Sequence, residues 1–181
     1  MLIGLGYRAR VGKDTATDFM VKELGFKKTA FAYSLKEAVK IVFGWTDDHV
    51  YGHLKEVTDP FWNQTPREVM QKFGTDALRN NLRQDIWVKS VEKQISDDQD
   101  WDWVITDVRF PNEADFIHNL GGLVFRIDRT NPDEIAAGTS NHSSETAMDK
   151  YEKWDSIISN NGTIDSFYQK LNSHIQLYRE I

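Results

Sequence analysis

Short apolar runs alternate with stretches in which apolar residues return every three or four positions, and this predicts strands followed by helices along most of the chain. Met1 to Leu5 reads as a first strand. Ala16, Phe19, Met20 and Leu24 then mark one face of a helix that Gly25 ends as a C-cap. Phe26 through Ala32 has the threonine and aromatic content of a second short strand. Ser34, with Glu37 three residues on, predicts a capping box opening a helix on Leu35, Ala38, Val39, Val42 and Phe43. Trp45 to Gln64 has no clear period and reads as loop or short helical pieces. Thr65, Pro66 and Glu68 open the next helix, with Val69, Met70 and Phe73 on its buried side. Gly74 is expected to interrupt it, and Thr75-Asp76 to recap a longer helix to about Ile95 on Leu78, Leu82, Ile86, Val91 and Ile95.

In the second half, Trp103 to Thr106 predicts a buried strand ending on Asp107. A helix with Ala114, Phe116, Ile117 and Leu120 follows, closed by Gly121-Gly122. Leu123 to Ile127 is a fourth strand that exits into Asp128-Arg129. Thr130 to Asn141 is rich in Asn, Pro, Gly and Ser, which suits a lid or loop over about 129–145. His142-Ser143-Ser144-Glu145 then enters a short helix, and Ser156 to Ser159 forms a fifth strand. Thr163 caps a last helix on Ile164, Phe167, Tyr168, Leu171, Ile175 and Tyr178. Such alternation predicts an α/β fold in three layers: a mostly parallel five-stranded sheet with helices on both faces.

Composition narrows the function. With 181 residues, 40% of them hydrophobic, one sizeable core and a single domain are expected. A formal net charge of −6 argues against a surface that coats nucleic acid. There is no cysteine among the 181 residues, which removes thiolate sites, and structural zinc is not expected. No run approaches the ~18 to 20 apolar residues of a membrane span, and no basic-then-apolar leader opens the chain. A soluble cytoplasmic protein is expected; whether it forms a homodimer stays open.

The chemistry begins where the first strand meets the first helix, at Gly6-Tyr7-Arg8-Ala9-Arg10-Val11-Gly12-Lys13-Asp14-Thr15. A helix N-terminus presents unpaired N–H groups and the positive end of the dipole, so phosphate is stabilised there, and Lys13 adds a charge. The pattern G-x-x-x-x-G-K-[ST] is met with two departures. Tyr7 stands where the first glycine belongs, with Gly6 one residue early, and Asp14 replaces the hydroxyl. Two registers are open: Tyr7 takes a strained positive φ, or Gly6 serves with one extra residue.

Asp107, at the carboxyl end of a strand, is expected beside this loop. Lys36, Arg67, Arg79, Arg83 and Arg109 supply cations outside it. Transfer to a phosphorylated acceptor requires a second anion site, so this set favours a kinase with an anionic acceptor over a water-using NTPase. For Lys36, Arg67, Arg79 and Arg83, a solvated surface role is the competing account.

The loop, Tyr33 to Ala38, Thr65 to Asp76 with Arg79 and Trp87, Thr106-Asp107-Val108-Arg109-Phe110-Pro111-Asn112-Glu113, and His142 to Glu145 together resemble the deoxynucleoside monophosphate kinases of tailed bacteriophages. G-K-D-T and D-V-R-F-P-N-E are the most specific of these blocks. The resemblance implies a P-loop kinase fold that uses ATP and Mg²⁺ to convert a deoxynucleoside monophosphate to its diphosphate, in the host cytoplasm if the protein is of phage origin. It implies that the amides of Arg8, Ala9, Arg10, Val11, Gly12, Lys13, Asp14 and Thr15 wrap the ATP phosphates. Lys13 would bridge the β- and γ-phosphates, with Arg8, Arg10 or Arg129 neutralising the transferring group. Asp14 and Asp107 would be the metal carboxylates, Asp14 having the alternative of a favourable acidic residue in a first helical turn. Lys36, Arg67, Arg79 and Arg109 would hold the acceptor phosphate; Gln71 would read a base edge, and Trp87 or an aromatic residue of Trp45 to Trp62 would stack on the base. Asp76, Glu113, His142 and Glu145 are weaker candidates, for which capping or solvation is an equal account. A kinase of another phosphorylated metabolite, of dephospho-coenzyme A or phosphomevalonate type, and a non-catalytic nucleotide-binding module are the competing functions.

Overall fold

The computed structural model describes residues 1–98, 100–130 and 146–180. In chain order its elements are β1 (Leu2–Gly6), α1 (Lys13–Leu24), β2 (Lys27–Thr29), α2 (Tyr33–Phe43), α3 (Asp47–Val50), a 3₁₀ turn (His53–Glu56), α4 (Pro66–Gln71), a π-helix (Lys72–Arg79), α5 (Ile86–Ser96), β3 (Trp103–Val108), α6 (Pro111–Asn119), β4 (Leu123–Asp128), β5 (Ser156–Ser159) and α7 (Ile164–Arg179). They form two compact units, one from Met1–Ala30 with Asp97–Ile181 and one from Phe31–Ser96.

The first unit is a parallel five-stranded sheet in the order β2-β3-β1-β4-β5. Strand β1 is central, and its sequence explains the layers. Ile3 and Leu5 point into a core with Met20 of α1 and with Phe167, Leu171 and Ile175 of α7. Gly4 faces the other side, where a Cβ would lie 2.4 Å from Ile117 Cδ1 of α6; a larger residue would push that helix off the sheet. Helices therefore cover both faces, as the alternation predicts. β2 is shorter than the expected Phe26–Ala32: it covers Lys27–Thr29, and Ala32 is already the N-cap of α2. The turn before the last helix matches its sequence signal, with Thr163 Oγ1 accepting from the Ser166 N–H at 3.2 Å. Leu120 and Ile164, expected on buried stripes, are exposed at the ends of their helices.

The second unit contains the helical segment expected over about 34–95, and several local expectations fail there. Ser34 is not an N-cap: α2 begins at Tyr33 without a side-chain cap, the Ser34 hydroxyl pairs with Ser90, and Glu37 pairs with Lys40 at 3.0 Å. Leu35 and Val39 are buried, whereas Val42 is exposed. The Thr65 capping box does form, with the Glu68 carboxylate accepting from the Thr65 N–H at 2.9 Å. Gly74 does not interrupt the helix. The chain continues through it as a π-helix to Arg79, and the break falls later, before Ile86. Glycine is required at 74 for another reason: a Cβ there would lie 2.5 Å from Leu35 Cδ2. Leu82 falls in the turn of that break, so it is exposed rather than part of one long apolar stripe.

Candidate active site

Between β1 and α1 the chain makes a tight loop whose backbone is set by three positive-φ residues: Tyr7 (φ 90°), Arg10 (φ 62°) and Gly12 (φ 105°). Gly6 lies within β1, so the register is the one that places a strained tyrosine at the first glycine position. Such a conformation costs on the order of 1–3 kcal/mol for a residue with a side chain and persists only where the surroundings impose it. Here they do. The Arg126 guanidinium lies 3.7 Å from the Tyr7 ring centroid, and Trp154 meets the ring edge-on at 6.4 Å.

Lys13, the first residue of α1, folds its ammonium back over the loop and donates to the carbonyl of Tyr7 at 3.1 Å and to that of Arg8. Val11 is buried in the sheet core and anchors the loop from below. Gly12 caps α1 in the left-handed region, and the Thr17 hydroxyl donates to the Lys13 carbonyl at 2.9 Å. The first turn of α1 thus begins at the loop with its N–H groups directed forward, the arrangement that favours phosphate. Arg8 makes a two-point contact with Asp149, Nη2 donating to Oδ2 at 2.9 Å and Nε to Oδ1 at 3.3 Å. Ala9 is half-buried, Arg10 and Asp14 are exposed, and Thr15 is half-buried on α1.

Asp107 lies at the carboxyl end of β3, next to β1. The pairing jumps from Gly4↔Ile105 to Gly6↔Val108, so β3 carries one extra residue through Thr106 and Asp107. A bulge of this kind re-aims a side chain. Beyond it, Glu113 is 2% exposed and accepts from the N–H groups of Arg109 (2.7 Å) and Phe110 (3.0 Å). This is a buried carboxylate that shapes the Arg109 turn, the capping role that competed with a catalytic one. Arg129 is half-buried just after β4, and Thr130 donates its N–H to Asn161 at 2.8 Å. His142, Glu145 and the expected lid, apart from Arg129 and Thr130, lie outside the described residues.

In the second unit, the Lys36 ammonium sits 3.9 Å from the Tyr51 ring centroid. Arg67 pairs with Glu56, and Arg79, 6% exposed at the end of the π-helix, donates to the Gln84 carbonyl at 3.4 Å. Arg83 pairs with Asp85 at the exposed surface, and Asp76 is exposed. Gln71 is half-buried at the last turn of α4. Trp87 is 7% exposed and gives its indole N–H to the Gly74 carbonyl at 3.0 Å, a packing position rather than an open face for a base. Of the aromatic residues in the irregular segment, Trp45 is buried and Trp62 partly open. Asp59 fixes them by accepting from Trp45 Nε1 at 2.8 Å and from the N–H groups of Phe61 and Trp62. These bonds, the Trp45 one foremost, hold its carboxyl below the usual range.

Four residues of the loop's surroundings carry no advance signal: Arg126, Asp149, Trp154 and Asn160. Each is remote in sequence from the loop and in no recognisable spacing with it. Only the parallel sheet brings them alongside.

A parallel sheet whose central strand feeds a glycine–lysine loop and a helix N-terminus defines a P-loop phosphotransferase fold. Solved structures agree on the fold: dephospho-CoA kinase from Campylobacter jejuni superposes with a TM-score of 0.54 at 18% identity, covering 97% of this chain and 95% of that one. Shikimate kinase from Aquifex aeolicus gives 0.51 at 14% identity, covering 99% and 98%. The family model described as deoxynucleotide monophosphate kinase matches residues 45–171. A protein of Acanthamoeba polyphaga mimivirus, assigned by its name as a deoxynucleotide monophosphate kinase, is 36% identical over 96% of this chain and 95% of its own length. The deoxynucleoside-5'-monophosphate kinase of Escherichia phage T5 is 37% identical over 33% of this chain and 24% of its own. The chain belongs to the deoxynucleotide monophosphate kinase family. Among the described residues no helix is long and apolar enough to cross a membrane.

Proposed function

We propose that this protein transfers the γ-phosphoryl group of ATP to the 5'-phosphate of a deoxynucleoside monophosphate, giving ADP and the diphosphate. The observation that carries this reading is the loop from Gly6 to Thr15, with the Lys13 ammonium drawn back over its carbonyls, in a chain whose full-length relative bears the name of such a kinase. Phosphoryl transfer asks little covalent chemistry of a protein. It needs the two phosphates held in line and the charge on the transferring oxygens neutralised. The loop amides and the start of α1 hold the donor phosphates, and Lys13 exchanges its carbonyl partners for phosphate oxygens. Arg8, Arg10 and Arg129 are the cations offered to the transferring group.

The donor set fits Mg²⁺. Two carboxylates at the end of β3 and the start of α1, Asp107 and Asp14, are hard oxygen ligands, and among the described residues there is no three-carboxylate or histidine cage. That is the sparse protein ligation expected when phosphates and water complete the shell. When bound, the ion supplies charge neutralisation between the phosphates. Asp14 and Asp107 would hold it.

For the acceptor, Lys36, Arg67, Arg79 and Arg109 are the phosphate contacts, and Gln71 reads the base edge. Trp62, partly open beside Phe43, replaces Trp87 as the stacking aromatic. The test is ADP release from ATP and Mg²⁺ with each deoxynucleoside monophosphate, each ribonucleoside counterpart and non-nucleotide phosphates. Turnover with at least one deoxynucleotide is expected; turnover only with a non-nucleotide acceptor overturns the assignment.

A further inference from the structure

Position 7, a glycine in the general phosphate-loop pattern, here is a tyrosine at φ 90°. Its ring is held on two sides. The Arg126 guanidinium carbon lies 3.7 Å from the ring centroid. Arg126 is itself fixed at the end of β4, Nη2 donating to Asp128 Oδ2 at 2.8 Å, while its Nε is buried without a hydrogen-bond partner. A cation so placed draws its remaining stabilisation from the aromatic face. On the other side Trp154 meets the ring at an interplanar angle of 87° and is anchored by its indole N–H on the Tyr151 carbonyl at 2.8 Å. The same indole passes 2.8 Å from where a Cβ on Gly6 would stand, so the residue before Tyr7 must be glycine for this contact to exist. The Tyr7 carbonyl accepts from Lys13 Nζ at 3.1 Å.

We infer that Tyr7 is a positioning residue for phosphoryl transfer: Arg126 and Trp154 grip its ring, and the grip fixes the backbone carbonyl that holds Lys13 in place before ATP arrives. A glycine at this position would adopt the same φ as one of many conformations. The gripped tyrosine makes it the only one, which is preorganisation of the group that must neutralise charge in the transition state. The inference rests on reading Gly6 to Thr15 as the donor-phosphate loop.

Steady-state kinetics with ATP and a deoxynucleoside monophosphate test it. Tyr7→Phe keeps the ring and should stay within about twofold of wild type. Tyr7→Gly and Arg126→Met should each lower kcat about tenfold or more while leaving the KM of the monophosphate unchanged. The double variant should fall no more than about twofold below Tyr7→Gly, because Arg126 acts through the ring. Trp154→Leu supplies a second route that alters no charge, and it too should lose its effect in the Tyr7→Gly background. A wild-type kcat for Tyr7→Gly, a Tyr7→Phe as slow as Tyr7→Gly, or losses that multiply in the double variants would each overturn the positioning role. Lys13→Ala keeps the two levels apart. Near-normal kcat in that variant would sink the donor-loop reading itself, whereas an inert Lys13→Ala with multiplying losses would sink only the role of Tyr7.

Discussion

The side-chain amide of Asn160, just after β5, donates to the Val11 carbonyl at 2.9 Å, and the same nitrogen lies 2.3 Å from where a Cβ on Gly12 would stand. Glycine at 12 is thus required twice, by its φ of 105° and by the amide pressed against it. Gly12→Ala should reduce transfer by roughly 100-fold or more, since it both strains the loop by about 1–3 kcal/mol and displaces Asn160. Removing the amide as well, in Gly12→Ala/Asn160→Ala, should recover only part of the loss, because the strained φ remains. Kinetics of the two variants beside Asn160→Ala check this; full recovery would mean that the clash alone had mattered.

Arg109 and Arg67 are assigned to the acceptor, and their environments differ. The Arg109 backbone is held by a buried carboxylate, whereas the Arg67 side chain is paired with the exposed Glu56. Each alanine variant should raise the KM of the monophosphate, by something like tenfold if a charge-assisted contact of ~1.5 kcal/mol or more is lost. ATP binding, measured separately by calorimetry, should hardly change. Loss of ATP affinity with an unaltered monophosphate KM would move that arginine to the donor side.

Glu113 accepts two backbone N–H groups while 2% exposed. Glu113→Ala removes the acceptor of two part-buried N–H groups, a loss of about 1–3 kcal/mol in all, visible as a lower midpoint in denaturant. Activity should fall in the same variant, as the Arg109 turn loosens. An unchanged midpoint would contradict the capping role.

Tyr151 is pushed up to about 12, chiefly by desolvation, with Asp115 and Asp155 adding to it. A folded-state pKa above the unfolded value favours the protonated form, so its contribution is complete below about pH 10 and is lost as pH rises through the folded pKa. Thermal midpoints compared at pH 9 and pH 11.5 should therefore fall more for wild type than for Tyr151→Phe. Parallel falls in the two proteins would show that Tyr151 does not report this linkage.

The layers and the glycine–lysine loop were legible because they rest on local rules. Ile3 to Gly6 alternates large and small residues, which suits a strand packed by helices on both faces. Gly12-Lys13 at a strand-to-helix junction is a phosphate motif wherever it occurs in that setting, and Thr65 with Glu68 caps a helix through bonds spanning three residues. Failures came where a distant residue outweighed a local preference. Ser34 reads as a cap, yet its hydroxyl pairs with Ser90 from α5. Gly74 reads as a helix breaker, yet Leu35 needs its space and Trp87 its carbonyl, and the helix winds wider instead of stopping. Trp87 reads as a base-stacking aromatic, yet its indole is committed to that same carbonyl.

By itself, the sequence determined the order of strands and helices, the glycine–lysine loop with Lys13 at the head of α1, and the family to which these motifs belong. All of these depend on dihedral preferences and hydrogen bonds within a few residues, so spacing along the chain suffices to read them. Tertiary structure alone decided how a tyrosine survives at a glycine position. Arg126, Trp154 and Asn160 reach the loop only because β4 lies beside β1 and β5 beside β4 in the sheet, and pairing between strands far apart in sequence leaves no spacing for the chain to display.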